Sequence, residues 1–242
     1  MNDTINTIMN RRSIRAFTNE PISAEDKSLI LEAAFRAPTA GNQQLYTIID
    51  VTDQAVKEAL VPICDDQPFI ASAPLVLIFL ADCLKWYNAF KVAGCEPRIP
   101  DVGDLMLAVS DTNIAAENAV ITAESLGIGS CYIGDVMENC EKLRSLLSLP
   151  EYVFPAAMLV FGHPAPNAMK RELLPRIDYK YTVHENSYRT LSSDELKDAL
   201  EWKAGLRSYD EWIKAFCDRK YNSEFSREMS RSVREYLKQY DN

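Results

Sequence analysis

The chain has 242 residues, 47% of them hydrophobic and 25% charged, with a formal net charge of −9. That is enough apolar material for one ordinary core with an appendage, and the composition excludes a disordered chain. So acidic a surface repels nucleic-acid phosphate and anionic membranes, so neither is expected as a partner, and any anionic ligand needs a local cluster of cations. The six cysteines form no CxxC pair and only two histidines are present, so no metal site is expected. The opening residues are polar with no apolar run behind them, and the longest apolar stretch, 73–81, is too short for a bilayer. A reducing, cytoplasmic setting is the expectation.

In chain order, Ile5, Ile8 and Met9 have the spacing of a short amphipathic helix. It leads into Arg11-Arg12-Ser13-Ile14-Arg15. Ser23, with Asp26 three residues on, predicts the N-cap of a second helix with Leu29, Ile30, Ala33 and Ala34 as its apolar positions. That helix should stop before Pro38, because the residue preceding a proline avoids the helical region. The β-branched run 47–51 predicts a strand, followed by a helix through Val56, Leu60 and Ile63. Residues 75–80 are continuously apolar, as in a central strand. Residues 86–104 contain Gly94, Pro97, Pro100 and Gly103 and read as a loop or flap, with Trp86, Tyr87 and Phe90 lining it or packing beneath it.

A long helix is predicted over 105–126, rich in alanine on all sides and therefore buried in a subunit or at a subunit interface. Gly127-Ile128-Gly129 ends it, and Tyr132-Ile133-Gly134 opens a turn. A helix over 141–147 and a strand over 156–161 follow, the strand ending at Gly162-His163-Pro164. This interleaving predicts an α/β or α+β sheet flanked by helices. Beyond residue 186 the chain is charged, aromatic and helical, with Trp202, Tyr209, Trp212, Phe216, Phe225 and Tyr236 as anchors. The expected division is a domain over 1–186 and a C-terminal helical extension over 187–242.

Four segments carry chemistry. The pentad at 11–15 places three guanidinium groups and a hydroxyl together, a set shaped to hold phosphate or to decorate a solvated turn. Pro38-Thr39-Ala40-Gly41-Asn42-Gln43-Gln44 offers amides that match the edges of a heterocycle. The glycine-rich run 127–135 lets backbone approach a flat ligand, though it lacks the spacing of a dinucleotide fingerprint and the lysine of a phosphate-binding loop. Lys170, Arg171 and Arg176 either complete a phosphate site or lie on a loop.

In combination and order these segments resemble the nitroreductase superfamily of FMN enzymes. The resemblance rests on Arg12-Ser13-Ile14-Arg15, Pro38 to Gln44, Leu126-Gly127-Ile128-Gly129-Ser130, and Gly162-His163-Pro164 with a basic residue downstream. It covers roughly residues 5–186, with Thr39 where the family usually has Ser and Leu45 where Pro is frequent. It implies an α+β nitroreductase-like fold, with a mostly antiparallel central sheet flanked by helices. It also implies a homodimer with FMN between subunits.

The implied cofactor-binding residues are Arg11, Arg12, Ser13 and Arg15 at the phosphate and ribityl chain, and Pro38, Thr39, Asn42 and Gln44 at the flavin. Tyr132, Ile133, Gly134 and Asp135 would lie near flavin N5, and Arg176, preferred to Lys170 or Arg171, would close the phosphate site. The implied chemistry is ping-pong hydride transfer from NADH or NADPH to a small-molecule electron acceptor, a nitroaromatic or a quinone. FMN carries that chemistry, so no side-chain nucleophile is required. The alternative is an FMN-binding protein of the same fold with a different role: reductive dehalogenation or flavin degradation, as in related proteins, or non-catalytic flavin sensing.

Overall fold

The continuous apolar runs become the middle of a sheet. The computed structural model describes residues 2–170 and 172–241. In it β1 (Tyr46–Asp50), β2 (Leu75–Asp82), β3 (Gly129–Ile133) and β4 (Val153–Gly162) lie in the order β1-β2-β4-β3, every pairing antiparallel. The central strands β2 and β4 are buried along their whole length. Both of their faces are covered, so neither strand needs the polar alternation of a half-exposed sheet. Pro155 sits inside β4 beside a register shift between Phe79 and Leu80, a local break that tolerates its missing N–H.

Helices cover both faces. After α1 (Asp3–Asn10) come α2 (Ala24–Phe35), α3 (Gln54–Ile63), α4 (Phe69–Ser72), α5 (Leu84–Val92), α6 (Val102–Ser125) and α7 (Cys140–Leu147). On one face Leu75, Leu77, Phe79, Leu159 and Phe161 meet Ile30 and Ala34 of α2 and the alanines of α6. On the other, Val76, Ile78, Leu80, Met158 and Val160 meet Leu60 and Ile63 of α3, Ile70 of α4 and Leu143 of α7. Residues of β2 thus alternate between two cores, as the two-residue period of a strand dictates.

The Ser23 cap forms as predicted, its side chain accepting from the Asp26 N–H at 3.0 Å. The long helix begins earlier than predicted, at Val102, because Asp101 and Asp104 form a capping box. Two further differences are informative. Residues 84–92 are helical rather than loop, because the glycines and prolines all lie after that stretch. The run 129–133 is a strand, because its residues pair with 158–162, far away in sequence.

The chain divides into two compact units, Met1–Arg171 with Glu228–Asn242, and Glu172–Arg227. The second contains α8 (Ser193–Leu200) and α9 (Tyr209–Lys220). Each has a capping box, Ser192 with Glu195 and Ser208 with Glu211. The helix α10 (Glu224–Leu237) carries Tyr236 into the first unit, edge-on to Phe154 at 5.2 Å between ring centroids. The sequence-based boundary at residue 186 falls inside the second unit. No helix among the described residues is long and apolar enough to cross a membrane.

Candidate functional site

The basic pentad is stitched to the edge of the sheet. Ile14 N–H donates to Ser130 O at 2.8 Å, Thr18 N–H to His163 O at 2.8 Å, and Ala165 N–H to Ala16 O at 2.9 Å. Ser13 pairs with Ser130 in a parallel bridge. Ile14 is buried and its neighbours Ser13 and Arg15 are exposed, the alternation of an extended segment. Arg12 donates through Nη1 to Met169 O at 3.2 Å, which draws the stretch leading to Lys170 up to the pentad.

Arg11 and Arg15 make no ion pair or side-chain hydrogen bond among the described residues. Their charges are felt nearby. Burial pushes the Glu124 carboxyl up against the opposing pull of Arg11 and Arg12. Burial also pushes the Cys131 thiol up, more strongly than Arg15, the Ser13 hydrogen bond and Arg11 lower it. The thiol therefore stays protonated and offers no nucleophile.

From Ser130 the strand β3 runs about 13 Å to a 3-10 turn over Gly134–Met137. Tyr132 lies on the way, its phenol donating to Glu117 Oε2 on α6 at 3.1 Å. Burial and the Glu117 charge push that phenol well above its ordinary range, so it remains a neutral donor. Ile133 is buried and Gly134 exposed. Nothing lies within 4 Å of the point where a Gly134 Cβ would stand, leaving its backbone open to a ligand. Asp135 is held by Gln67, whose Nε2 donates to Oδ2 at 2.7 Å and to Cys64 O at 3.0 Å. Gln67 carries no local sequence signal; it follows Asp65-Asp66, both left-handed at φ 55° and 50°.

The pentad and the 132–135 segment thus share one sheet edge. The loop from Pro38 to Gln44 does not join them. It leads into β1, on the opposite edge of the sheet, about 14 Å across three strand spacings. It also enters at the opposite end: Tyr46 is level with Ala81 and Phe154, whereas Ser130 is level with Phe161. The central helix gives the same picture. Asp111 contacts the loop and Glu124 lies by Arg11 and Arg12, thirteen residues or about 20 Å apart along α6.

Beside the loop is a cavity of about 370 Å³ whose lining includes Gln43, Leu45, Trp86, Tyr87, Phe90 and Leu107. The three aromatics of the expected flap therefore face a common space. Arg176 lies in an exposed stretch of the second unit without regular secondary structure, and Arg171 lies outside the described residues. No group of three His, Cys, Asp or Glu side chains able to hold a metal occurs among the described residues.

The donor set fits FMN. Two uncommitted guanidinium groups and the Ser13 hydroxyl suit a phosphate, and the open backbone at Gly134 suits a flat ring. The antiparallel sheet of order β1-β2-β4-β3 with helices on both faces is an α+β fold. Residues 8–163 match the Nitroreductase family, and the chain belongs to that family.

The chain is 34% identical to FMN reductase [NAD(P)H] of Bacillus subtilis, covering 98% of this chain and 91% of the relative. It is 37% identical to the oxygen-insensitive NADPH nitroreductase of Salmonella typhimurium, covering 79% of this chain and 77% of that one. Among solved structures, NfrA2 of B. megaterium superposes with a TM-score of 0.84 at 30% identity, covering 99% of this chain and 98% of that one.

Proposed function

We propose that this chain is an FMN-dependent oxidoreductase that uses NADH or NADPH to reduce small-molecule electron acceptors such as nitroaromatics and quinones. FMN, when bound, would supply the hydride chemistry that links the nicotinamide to the acceptor. The chain's residues bind, orient and tune. Arg11, Arg12, Ser13 and Arg15 hold the phosphate and the start of the ribityl chain, with Lys170 following Met169, to which Arg12 bonds. The backbone of Ile133, Gly134 and Asp135 directs N–H groups at the ring, where preorganised donors favour developing negative charge. Tyr132 steadies that strand against α6.

The observation that carries this reading is the pair Arg11 and Arg15, without carboxylate partners among the described residues in a chain of net charge −9. The names of the relatives, FMN reductase and NADPH nitroreductase, support the same chemistry.

The protein works as a homodimer with FMN at the subunit interface. The pentad and the 38–44 loop stand too far apart in one chain to grip one flavin. A two-fold partner supplies the loop, so Pro38, Thr39, Asn42 and Gln44 approach the flavin held by the other protomer's pentad. The surface for such pairing is at hand: Met106, Leu107 and Ile114 of α6 are 59%, 53% and 42% exposed, an apolar stripe of the kind that subunit contacts cover. The cavity beside Trp86 and Phe90 accommodates an aromatic acceptor. The cytoplasm, with its reduced thiols, is the proposed setting.

Initial rates at several fixed acceptor concentrations test the two half-reactions. Parallel double-reciprocal lines against NADPH or NADH are expected. Intersecting lines would contradict the scheme.

A further inference from the structure

The loop that presents Asn42 is bent into shapes that side chains resist. Gly41, Asn42 and Gln44 have φ of 57°, 56° and 52°. For Asn and Gln this left-handed backbone carries strain, which persists only when the surroundings over-determine it. What holds it is Asp111, on α6 and only 4% exposed. Its Oδ1 accepts the Ala40 N–H at 3.0 Å, and its Oδ2 accepts the Leu45 N–H at 3.3 Å. Oδ2 also accepts the Thr39 hydroxyl. The Thr39 oxygen in turn accepts the Gln44 N–H at 2.8 Å.

One carboxylate therefore gathers both ends of the loop, and Thr39 closes it from within. From the other side Trp86 Nε1 donates to Gln43 O at 2.7 Å and Lys85 Nζ to Gln44 O at 3.2 Å. Burying a carboxylate is costly unless its oxygens are filled. Among the described residues, the hydrogen-bond donors to Asp111 all belong to this loop. Its burial thus serves the loop's conformation.

We infer that Asp111, acting through Thr39, is a positioning residue for the flavin: it holds the 39–45 loop in the shape that presents the Asn42 amide and so sets the affinity for FMN. The inference rests on the FMN site proposed above. Asp111 itself does not touch the flavin, and the hydroxyl of Thr39 is committed inward to the loop.

Three variants test this. Asp111→Asn keeps the size but turns one acceptor into a donor that faces donors. Thr39→Val removes the hydroxyl at nearly constant volume, and Thr39→Ser keeps it. Two quantities are read: hydrogen exchange at the amides of Ala40, Gln44 and Leu45 in FMN-free protein, and the FMN dissociation constant by titration. Asp111→Asn and Thr39→Val should exchange faster at these amides and bind FMN at least about tenfold more weakly. Thr39→Ser, which keeps the hydroxyl, should restore slow exchange at these amides relative to Thr39→Val and recover most of the FMN affinity that Thr39→Val loses.

Unchanged exchange in folded Asp111→Asn or Thr39→Val would overturn the positioning role, and Thr39→Val decides if Asp111→Asn does not fold. Faster exchange with unchanged FMN affinity would overturn the link to the flavin. Wild-type protein that takes up no FMN would refute the proposed site, and the exchange comparison in FMN-free protein would still report separately on the loop.

Discussion

At Gly129 a Cβ would stand 2.6 Å from Cγ1 of Ile14 and 3.0 Å from Cγ of Pro164, closer than side chains approach one another. The absent side chain lets the segment carrying the pentad lie flat against β3. Gly129→Ala should therefore lower stability by about 1–3 kcal/mol, read as a shift in denaturant midpoint, and should weaken FMN binding as the pentad is displaced. A variant of unchanged stability and affinity would show that this contact is slack.

Glu138 is a different kind of residue. It is buried, its Oε1 has no hydrogen-bond partner among the described residues, and its carboxyl is pushed up to about 8 by burial and by the nearby Asp135 and Asp65 charges. The folded state then binds a proton that the unfolded chain releases near pH ~4.3. The group's contribution to stability is full below that value and is lost as pH rises through about 8. Compared with Glu138→Gln, the wild type should lose stability between pH 5 and pH 8 in urea titrations. A parallel pH dependence of the two would count against a protonated Glu138. At this scale the pentad is legible in sequence because its cations are adjacent. Gln67 and Asp111 are not, since each is defined by a partner 66 or more residues away.

Among the elements, the strands read best where burial is two-sided. The run at 75–80 has no polar residue to mislead, and β2 forms over it. The helix α5 was hidden by the glycines and prolines that follow it, and β3 by Gly129, which serves close packing against Ile14 and Pro164 rather than a turn. The helix α6 shows both of its roles. Ala108, Ala115, Ala116, Ala119 and Ala123 are fully buried, while Met106, Leu107 and Ile114 are exposed. Its alanines reveal the packing in sequence, but the exposed stripe emerges only once the sheet face is known. Ile114→Glu places a charge in the proposed interface and leaves the alanine face untouched. It should shift the protein from dimer to monomer in sedimentation and reduce FMN retention in step. Monomers that keep FMN at wild-type affinity would contradict a shared site.

For the whole molecule, the order of motifs along the chain sufficed to suggest the family, while the arrangement of the site in space did not follow from it. Four motifs in sequence imply one pocket, yet the fold places the 38–44 loop at the far edge and far end of the sheet from the pentad. The proposed pairing of two copies would reconcile the motif order with the geometry. The central claim is that the chain binds FMN and reduces it with NAD(P)H. Its most direct test is the visible absorbance of the purified protein, before and after anaerobic addition of NADPH or NADH. A yellow protein whose flavin bands bleach with at least one of the two donors is expected. A colourless protein that cannot be reconstituted with FMN, or a yellow one that neither donor bleaches, would contradict it.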